Sequence, residues 1–381
     1  MKIKTIIFEE GKKKQKKYSH TENFMSTFLG REEKLSNPQS AFSILAQFTN
    51  RDYDAIEFRD IDNISDDTYL EMSTFQFYAL ADREWIRDRN IIVTNLFEPW
   101  VIGLPYDDQH EISGTTFDDP TIFDNVGIAK SFSFVIDNAD PRLRQMYPQV
   151  NWVYPNVWHL ECVESMTWPK HPLRESFIEN IDMHAYIDKH VHKNKEHDFT
   201  CLIGKVKPHR MDLWFQLIQN NLVGDNIVRS WDKHIINPKY EDEPRASMDR
   251  VIKPTWIEGA KVWVALESFP EQLNSKFHIT QITEKTFKPI RYGMPFLVHG
   301  TKHTFDIIES MGYNTYREIF GNYITDDPHT TNKNIVAILK CLNTYDWDRI
   351  KEIAHHNFTV LENQNRAELF AQLRSDITKH N

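Results

Sequence analysis

Short β-branched and aromatic runs alternate with amphipathic stretches along most of this chain, and they do so in two series separated by a break. Apolar runs at 2–8, 53–58, 91–96, 131–136 and 152–158 read as strands. The stretches 39–48, 67–81 and 142–146 between them read as helices. From 164 to 198 the pattern fails, in a segment with Pro169, Pro172 and many His and Lys residues. It resumes with strands at 199–203, 227–231, 261–266 and 296–298, and with helices at 208–219, 304–311, 332–342 and 347–378. Strand–helix alternation predicts an α/β fold with mainly parallel sheets, because parallel strands need a crossover and a helix is the usual one. Two series predict two domains: residues 1–165, a linker at 166–197, residues 198–345, and a helical tail at 346–381 long enough to return to the first domain.

Length agrees, since 381 residues exceed what one hydrophobic core usually organises. A net charge of −10 argues against a duplex nucleic-acid binder, and the one dense basic run, 12–17, reads as a solvated loop. Cys162, Cys201 and Cys341 have neither disulfide nor metal spacing, which suits a reducing compartment. With no membrane-length apolar run and no signal-peptide core, a soluble cytoplasmic protein is expected. No Gly-x-Gly-x-x-Gly or Walker loop is present, against a dehydrogenase or a P-loop kinase.

Open parallel sheets bind ligands beyond the carboxyl ends of their strands. In the second series those ends carry charge. After 199–203 comes GKVKPHR, where Lys205, Lys207, His209 and Arg210 crowd a helix start and invite an anion such as a diphosphate. After 261–266 come Glu267 and Ser268; the carboxylate suits two sugar hydroxyls or, equally, an ion pair with Lys285. The segment 279–300, ITQITEKTFKPIRYGMPFLVHG, opens a helix with Thr283-Glu284-Lys285, closes it at Gly293 and runs into a buried strand ending at Gly300. Lys285 offers a cation to phosphate and Glu284 an acceptor to ribose or sugar. The spacing of Glu284 and Lys288 also fits an ordinary surface ion pair. Pro289 should kink the helix.

Two other signals are weaker. Asp60-Ile61-Asp62 follows a strand, as a metal-binding triplet would, but lies far from the 283–285 cluster. His184, His190, His192 and His197 are dense, yet no Cys or regular helical pair supports a metal, and a solvated loop is expected.

The segment ITEKTFKPIRYGMPFLVHG resembles the donor-site signature of inverting glycosyltransferases related to the α-1,3-fucosyltransferases. That signature has a Glu-Asn-Ser-like strand end, Thr-Glu-Lys opening a helix, and a small-Pro-apolar strand ending in Gly. Here it reads Glu267-Ser268, with Ser where the family usually has Asn, then Thr283-Glu284-Lys285, then 295–300. FTCLIGKVKPHRMDLW is similar to the family's strand–loop–helix bearing a donor-binding Arg, matched by Arg210. The stretch 199–316 also resembles phage- and bacterial-type glycosyltransferase-like proteins carrying TEKTFKPI. The resemblance implies two Rossmann-like domains facing a central cleft, the arrangement called GT-B. It implies transfer of a hexose or pentose from a nucleotide-diphosphate sugar to a hydroxyl acceptor, with inversion and no metal or other cofactor. Donor contacts then fall to Arg210, Lys207, Glu267, Ser268, Thr283, Glu284 and Lys285. A general base is expected from the first domain, with Glu98, Asp107, Asp108 and Asp137 as candidates. The acceptor is a glycan, a lipid-linked sugar or, less favoured by the negative charge, a modified DNA base. Two competing readings are a non-catalytic binding or structural protein that keeps the fold, and a nucleotide-dependent enzyme of another type.

Overall fold

The computed structural model describes residues 2–7, 55–57, 62–73, 86–95, 128–136, 145, 147–153, 156, 159, 162–163, 181–203, 207–224, 226–230, 258–267 and 282–379. The chain divides into two compact units, residues 1–157 with 366–381, and residues 158–365.

The first unit holds a parallel sheet of β1 (Lys2–Ile7), β2 (Ala55–Glu57), β3 (Thr68–Ser73), β4 (Asn90–Asn95), β5 (Ser131–Ile136) and β6 (Asn151–Val153), in the order β2-β1-β3-β4-β5-β6. Ile91, Ile92 and Val93 are all fully buried, as expected of a central parallel strand covered on both faces. Thr68–Ser73 corrects the helix expected over 67–81. TYLEMS carries apolar residues at spacings that fit either period, and pairing between β1 and β4 decides for strand. The last helix, Arg366–Thr378, also belongs to this unit. Its terminal carbonyls find donors in the sheet: Ser133 Oγ donates to Ile377 O at 2.7 Å, and Asn151 Nδ2 donates to Asp376 O at 2.6 Å.

The second unit holds β7 (His197–Ile203), β8 (Ile227–Ser230), β9 (Ala260–Leu266) and β10 (Phe296–His299), all parallel, in the order β10-β9-β7-β8. Around them lie α1 (Met183–His190), α2 (Pro208–Gln219), α3 (Glu284–Arg291), α4 (Thr304–Ser310), α5 (Arg317–Phe320), α6 (Pro328–Lys340) and α7 (Trp347–Asn363); the helix of the first unit, Arg366–Thr378, is α8. Every residue of β9 is buried. Even Lys261 is, its ammonium held by Asp198 Oδ1 at 2.5 Å and Asn343 Oδ1 at 2.8 Å.

Helix α1 occupies the second half of the stretch expected to be linker. Asp182 caps it by accepting from the backbone N–H groups of His184 and Ala185. Met183, Tyr186 and Ile187 form its buried face. The i, i+3, i+4 apolar spacing was hidden among His and Lys. His184 and His190 therefore lie on a helix and His197 in a strand. Among the described residues, no group of three or more His, Cys, Asp or Glu side chains is placed to hold a metal. Asp62 of the Asp-x-Asp triplet pairs with Arg89 at 2.5 Å, and Asp60 lies outside the described residues. Among the described residues no helix is long and apolar enough to cross a membrane.

Candidate functional site

In the second unit the strand order reverses between β7 and β9. Crossovers from the two strands leave to opposite sides at such a point, and the crevice beyond their carboxyl ends is the usual ligand site of an open α/β sheet. Arg210, Glu267 and the 283–285 cluster meet at this place.

Helix α2 begins with Lys207 as its N-cap and Pro208 in its first turn. That turn is bound to the end of β9. Arg210 Nη2 donates to the carbonyls of Leu266 at 3.0 Å and Glu267 at 3.2 Å, and His209 Nε2 lies 3.2 Å from Glu267 O. Both side chains are 2% exposed. Burial, with the charges of Arg210 and Lys207 and the neighbouring His299, pushes His209 down to about 2. It is neutral at physiological pH, which removes one of the four cations the sequence placed at this helix start. Lys205 lies outside the described residues.

Glu267 does not present its carboxylate outward, where sugar hydroxyls were expected to meet it. It is 2% exposed, and both its oxygens are engaged. Oε1 accepts from Thr283 N at 3.0 Å and Thr286 Oγ1 at 2.5 Å; Oε2 accepts from Thr283 Oγ1 at 2.6 Å. The carboxylate thus sits at the start of α3, where backbone N–H groups favour an anion. Burial raises its pKa against the opposing pull of Lys285 and the threonine donors. Thr286, which no sequence signal singled out, is part of this brace. Its place one turn into the helix, on the side of Thr283, is visible only once β9 is known to end there.

Thr283 is the N-cap of α3 and accepts from Lys285 N at 3.4 Å. Phe287 and Ile290 bury the inner face of the helix, each 1% exposed. Pro289 is accommodated inside the helix, which runs on to Arg291. The helix ends in a Schellman turn: Gly293 at φ +62° lets its N–H reach Ile290 O and the N–H of Met294 reach Pro289 O. A side chain at Gly293 would meet Ile187 Cγ1 at 2.4 Å, so this glycine also allows α1 to pack there.

Glu284 and Lys285 project from the same first turn, and each side chain is 24% exposed. Lys285 Nζ donates to Glu284 Oε1 at 2.8 Å and to Thr283 Oγ1 at 3.1 Å. Glu284 Oε2 is buried and has no hydrogen-bond donor among the described residues. Burial would raise the Glu284 carboxyl, but Lys285 and Lys288 outweigh it and hold the group below the usual carboxylate range. It is a carboxylate, able only to accept.

Of the residues selected from sequence, the structure brings Lys207, Arg210, Glu267, Thr283, Glu284 and Lys285 to one end of one sheet. Ser268 and the candidate bases Glu98, Asp107, Asp108 and Asp137 lie outside the described residues.

No protein-family model matches the chain, and no curated protein is significantly similar to it. Among solved structures it is similar to a crystal structure of an α1,3-fucosyltransferase with GDP, at 8% identity and a TM-score of 0.40, over 100% of this chain and 92% of that one.

Proposed function

We propose that the second unit binds a nucleotide-diphosphate sugar at the β7–β9 switch point, and that the protein is a glycosyltransferase. The observation that carries this reading is the Glu284–Lys285 pair. A half-buried ammonium and a half-buried carboxylate, one oxygen of which has no donor among the described residues, stand side by side at the switch point. Such a pair asks for a ligand with an anion next to hydroxyl groups, and a diphosphate joined to ribose or sugar has both. The donor-site resemblance of the same residues agrees with it.

In this reading Lys285 meets the donor diphosphate and Glu284 accepts from ribose or sugar hydroxyls. Lys207 adds positive charge, and Arg210 holds the α2 turn in place beneath it. Transfer is inverting and needs no metal. A base removes the proton of the acceptor hydroxyl, its oxygen bonds to the anomeric carbon from the face opposite the diphosphate, and the anomeric carbon–oxygen bond to the diphosphate breaks. The negative charge gathering on the departing diphosphate is stabilised by Lys285. The base is to be sought among Glu98, Asp107, Asp108 and Asp137, and the acceptor is a glycan or another hydroxyl compound.

The test is thermal shift with nucleoside diphosphates on wild type and Lys285→Ala. A ligand at a hundredfold excess over its dissociation constant stabilises the native state by about 2.7 kcal/mol. A shift with one nucleotide, lost in Lys285→Ala, supports the donor site. Transfer or hydrolysis of the matching nucleotide sugar then separates a glycosyltransferase from a binding protein. No shift with any nucleotide removes the basis of the reading.

A further inference from the structure

The Lys285 ammonium is not held out toward a ligand. It is folded back on its own helix start, 2.8 Å from Glu284 Oε1 and 3.1 Å from Thr283 Oγ1, with the buried Glu267 carboxylate close enough to be affected by its charge. An anion approaching Lys285 therefore competes with Glu284 for the same N–H donors, and it comes within reach of a like charge. The other oxygen of Glu284 is buried and has no donor among the described residues. A carboxylate oxygen accepts and never donates, so a ligand's O–H or N–H group would supply the donor that no described residue gives it. The two neighbouring positions make opposite demands, an acceptor at Lys285 and a donor at Glu284.

We propose, resting on the donor-site reading above, that the Glu284–Lys285 ion pair is a selectivity lock, which admits a phosphate only when the same ligand brings hydroxyl groups to Glu284. The class selected is a diphosphate covalently joined to a polyol, such as a nucleoside diphosphate or its sugar ester. Inorganic pyrophosphate breaks the ion pair with Lys285, leaving Glu284 the charge of Lys288 alone and bringing no hydroxyl to its other oxygen. A nucleoside without phosphate leaves the cation where it was and gains only the hydroxyl contact. Glu284 is thereby a specificity-determining residue that weakens the binding of bare anions while strengthening that of the complete ligand.

The lock makes a prediction of opposite signs for one substitution. Glu284→Gln keeps the shape and removes the charge that pairs with Lys285. Inorganic pyrophosphate should bind the variant more tightly than wild type, by about fivefold, the upper range for a partly exposed ion pair. The nucleoside diphosphate that binds wild type should bind the variant about tenfold more weakly, because a hydroxyl-to-carboxylate bond becomes a neutral one. Isothermal titration of pyrophosphate and of nucleoside diphosphates, at one ionic strength, reads both; Glu284→Ala gives the same comparison should the glutamine variant not fold. If pyrophosphate affinity is unchanged or lower in the variant while wild type binds a nucleoside diphosphate, the lock is refuted and the donor-site reading stands. If wild type binds neither pyrophosphate nor any nucleoside diphosphate, both are refuted.

Discussion

Acid should destabilise this protein steeply, and one substitution should change the slope by a calculable amount. Three histidines of the second unit are buried and held neutral. Burial pushes His159 and His299 down to about 4 and His209 to about 2, from an ordinary 6.5. Their native pKa values are depressed, so in the unfolded chain these rings take up protons as pH falls below about 6.5, while in the native state they do not. The stability they contribute is fully present above about pH 6.5 and is lost on acidification toward the native pKa values. Each ring contributes about 1.4 kcal/mol per pH unit within that window, and three contribute about 4 kcal/mol per unit. Two pH units then remove about 8 kcal/mol, comparable with the ~5–15 kcal/mol of a typical domain. Glu267 acts in the opposite sense. Its native pKa is raised, so protonation favours the native state between that value and the ordinary carboxylate range, offsetting part of the slope. His190 and His192 are also lowered by burial and by Lys195, and add to it. These contributions are common to wild type and variant. The decisive comparison is therefore His299→Leu, which removes one titration; His209 loses the lowering influence of His299, but burial, its larger cause, remains. Urea denaturation at a series of pH values between about 6.5 and about 4.5 should show the slope of stability against pH fall by about 1.4 kcal/mol per unit in the variant. Parallel slopes for the two proteins would refute the claim that His299 is folded in its neutral form.

Gly293→Ala should lower stability by more than the ~1 kcal/mol of an ordinary helix-terminal glycine, because the left-handed backbone is strained by a side chain and the new Cβ meets Ile187 Cγ1 at 2.4 Å; thermal denaturation measures it, and an unchanged Tm contradicts the turn. Asp198→Ala leaves the Lys261 ammonium buried with, among the described residues, the neutral amide of Asn343 and should cost about 3 kcal/mol, whereas Lys261→Met should be close to neutral. Equal costs for the two substitutions in urea denaturation would show that the ion pair itself stabilises the fold.

Strands were legible where an apolar run is closed by turn residues. SFSFVI coincides with β5 from Ser131 to Ile136, and KVWVAL lies within β9. These runs are buried on both faces, so composition alone marks them. Thr68–Ser73 was misread because a mixed polar and apolar window fits period 2 and period 3.6 alike, and only its neighbours in the sheet choose. Helix α1 was missed for a different reason: a surface dense in His and Lys conceals the three buried residues that define its inner face. At the site, which residues gather was legible, because each directly follows a strand or opens a helix. Their division of labour was not. A glutamate after a strand reads the same whether it faces a ligand or braces the next helix. What decides is the pair of threonine hydroxyls that the start of α3 brings to Glu267 at the end of β9, and their positions depend on the packing of those elements.

That division follows from the cost of holding charge at the end of a buried sheet. An unpaired buried carboxylate or guanidinium costs several kcal/mol, so each must be given partners within the fold. Glu267 receives one backbone N–H and two hydroxyls, and Arg210 receives two carbonyls. These bonds fix the first turns of α2 and α3 against β9, and a ligand engaging the same atoms would have to replace bonds already made. The ion pair left to exchange partners is the partly exposed Glu284 and Lys285, alongside the partly exposed cations Lys207 and Lys288. Affinity at this site should accordingly be concentrated in two adjacent residues. Substitutions at Glu267, Thr286 and Arg210 should act mainly through stability and through the placement of that pair. Glu267→Gln should lower Tm and weaken a nucleoside diphosphate together, whereas Lys285→Ala should weaken the ligand with little effect on Tm. A Lys285→Ala variant that loses stability but keeps the ligand would reverse these roles.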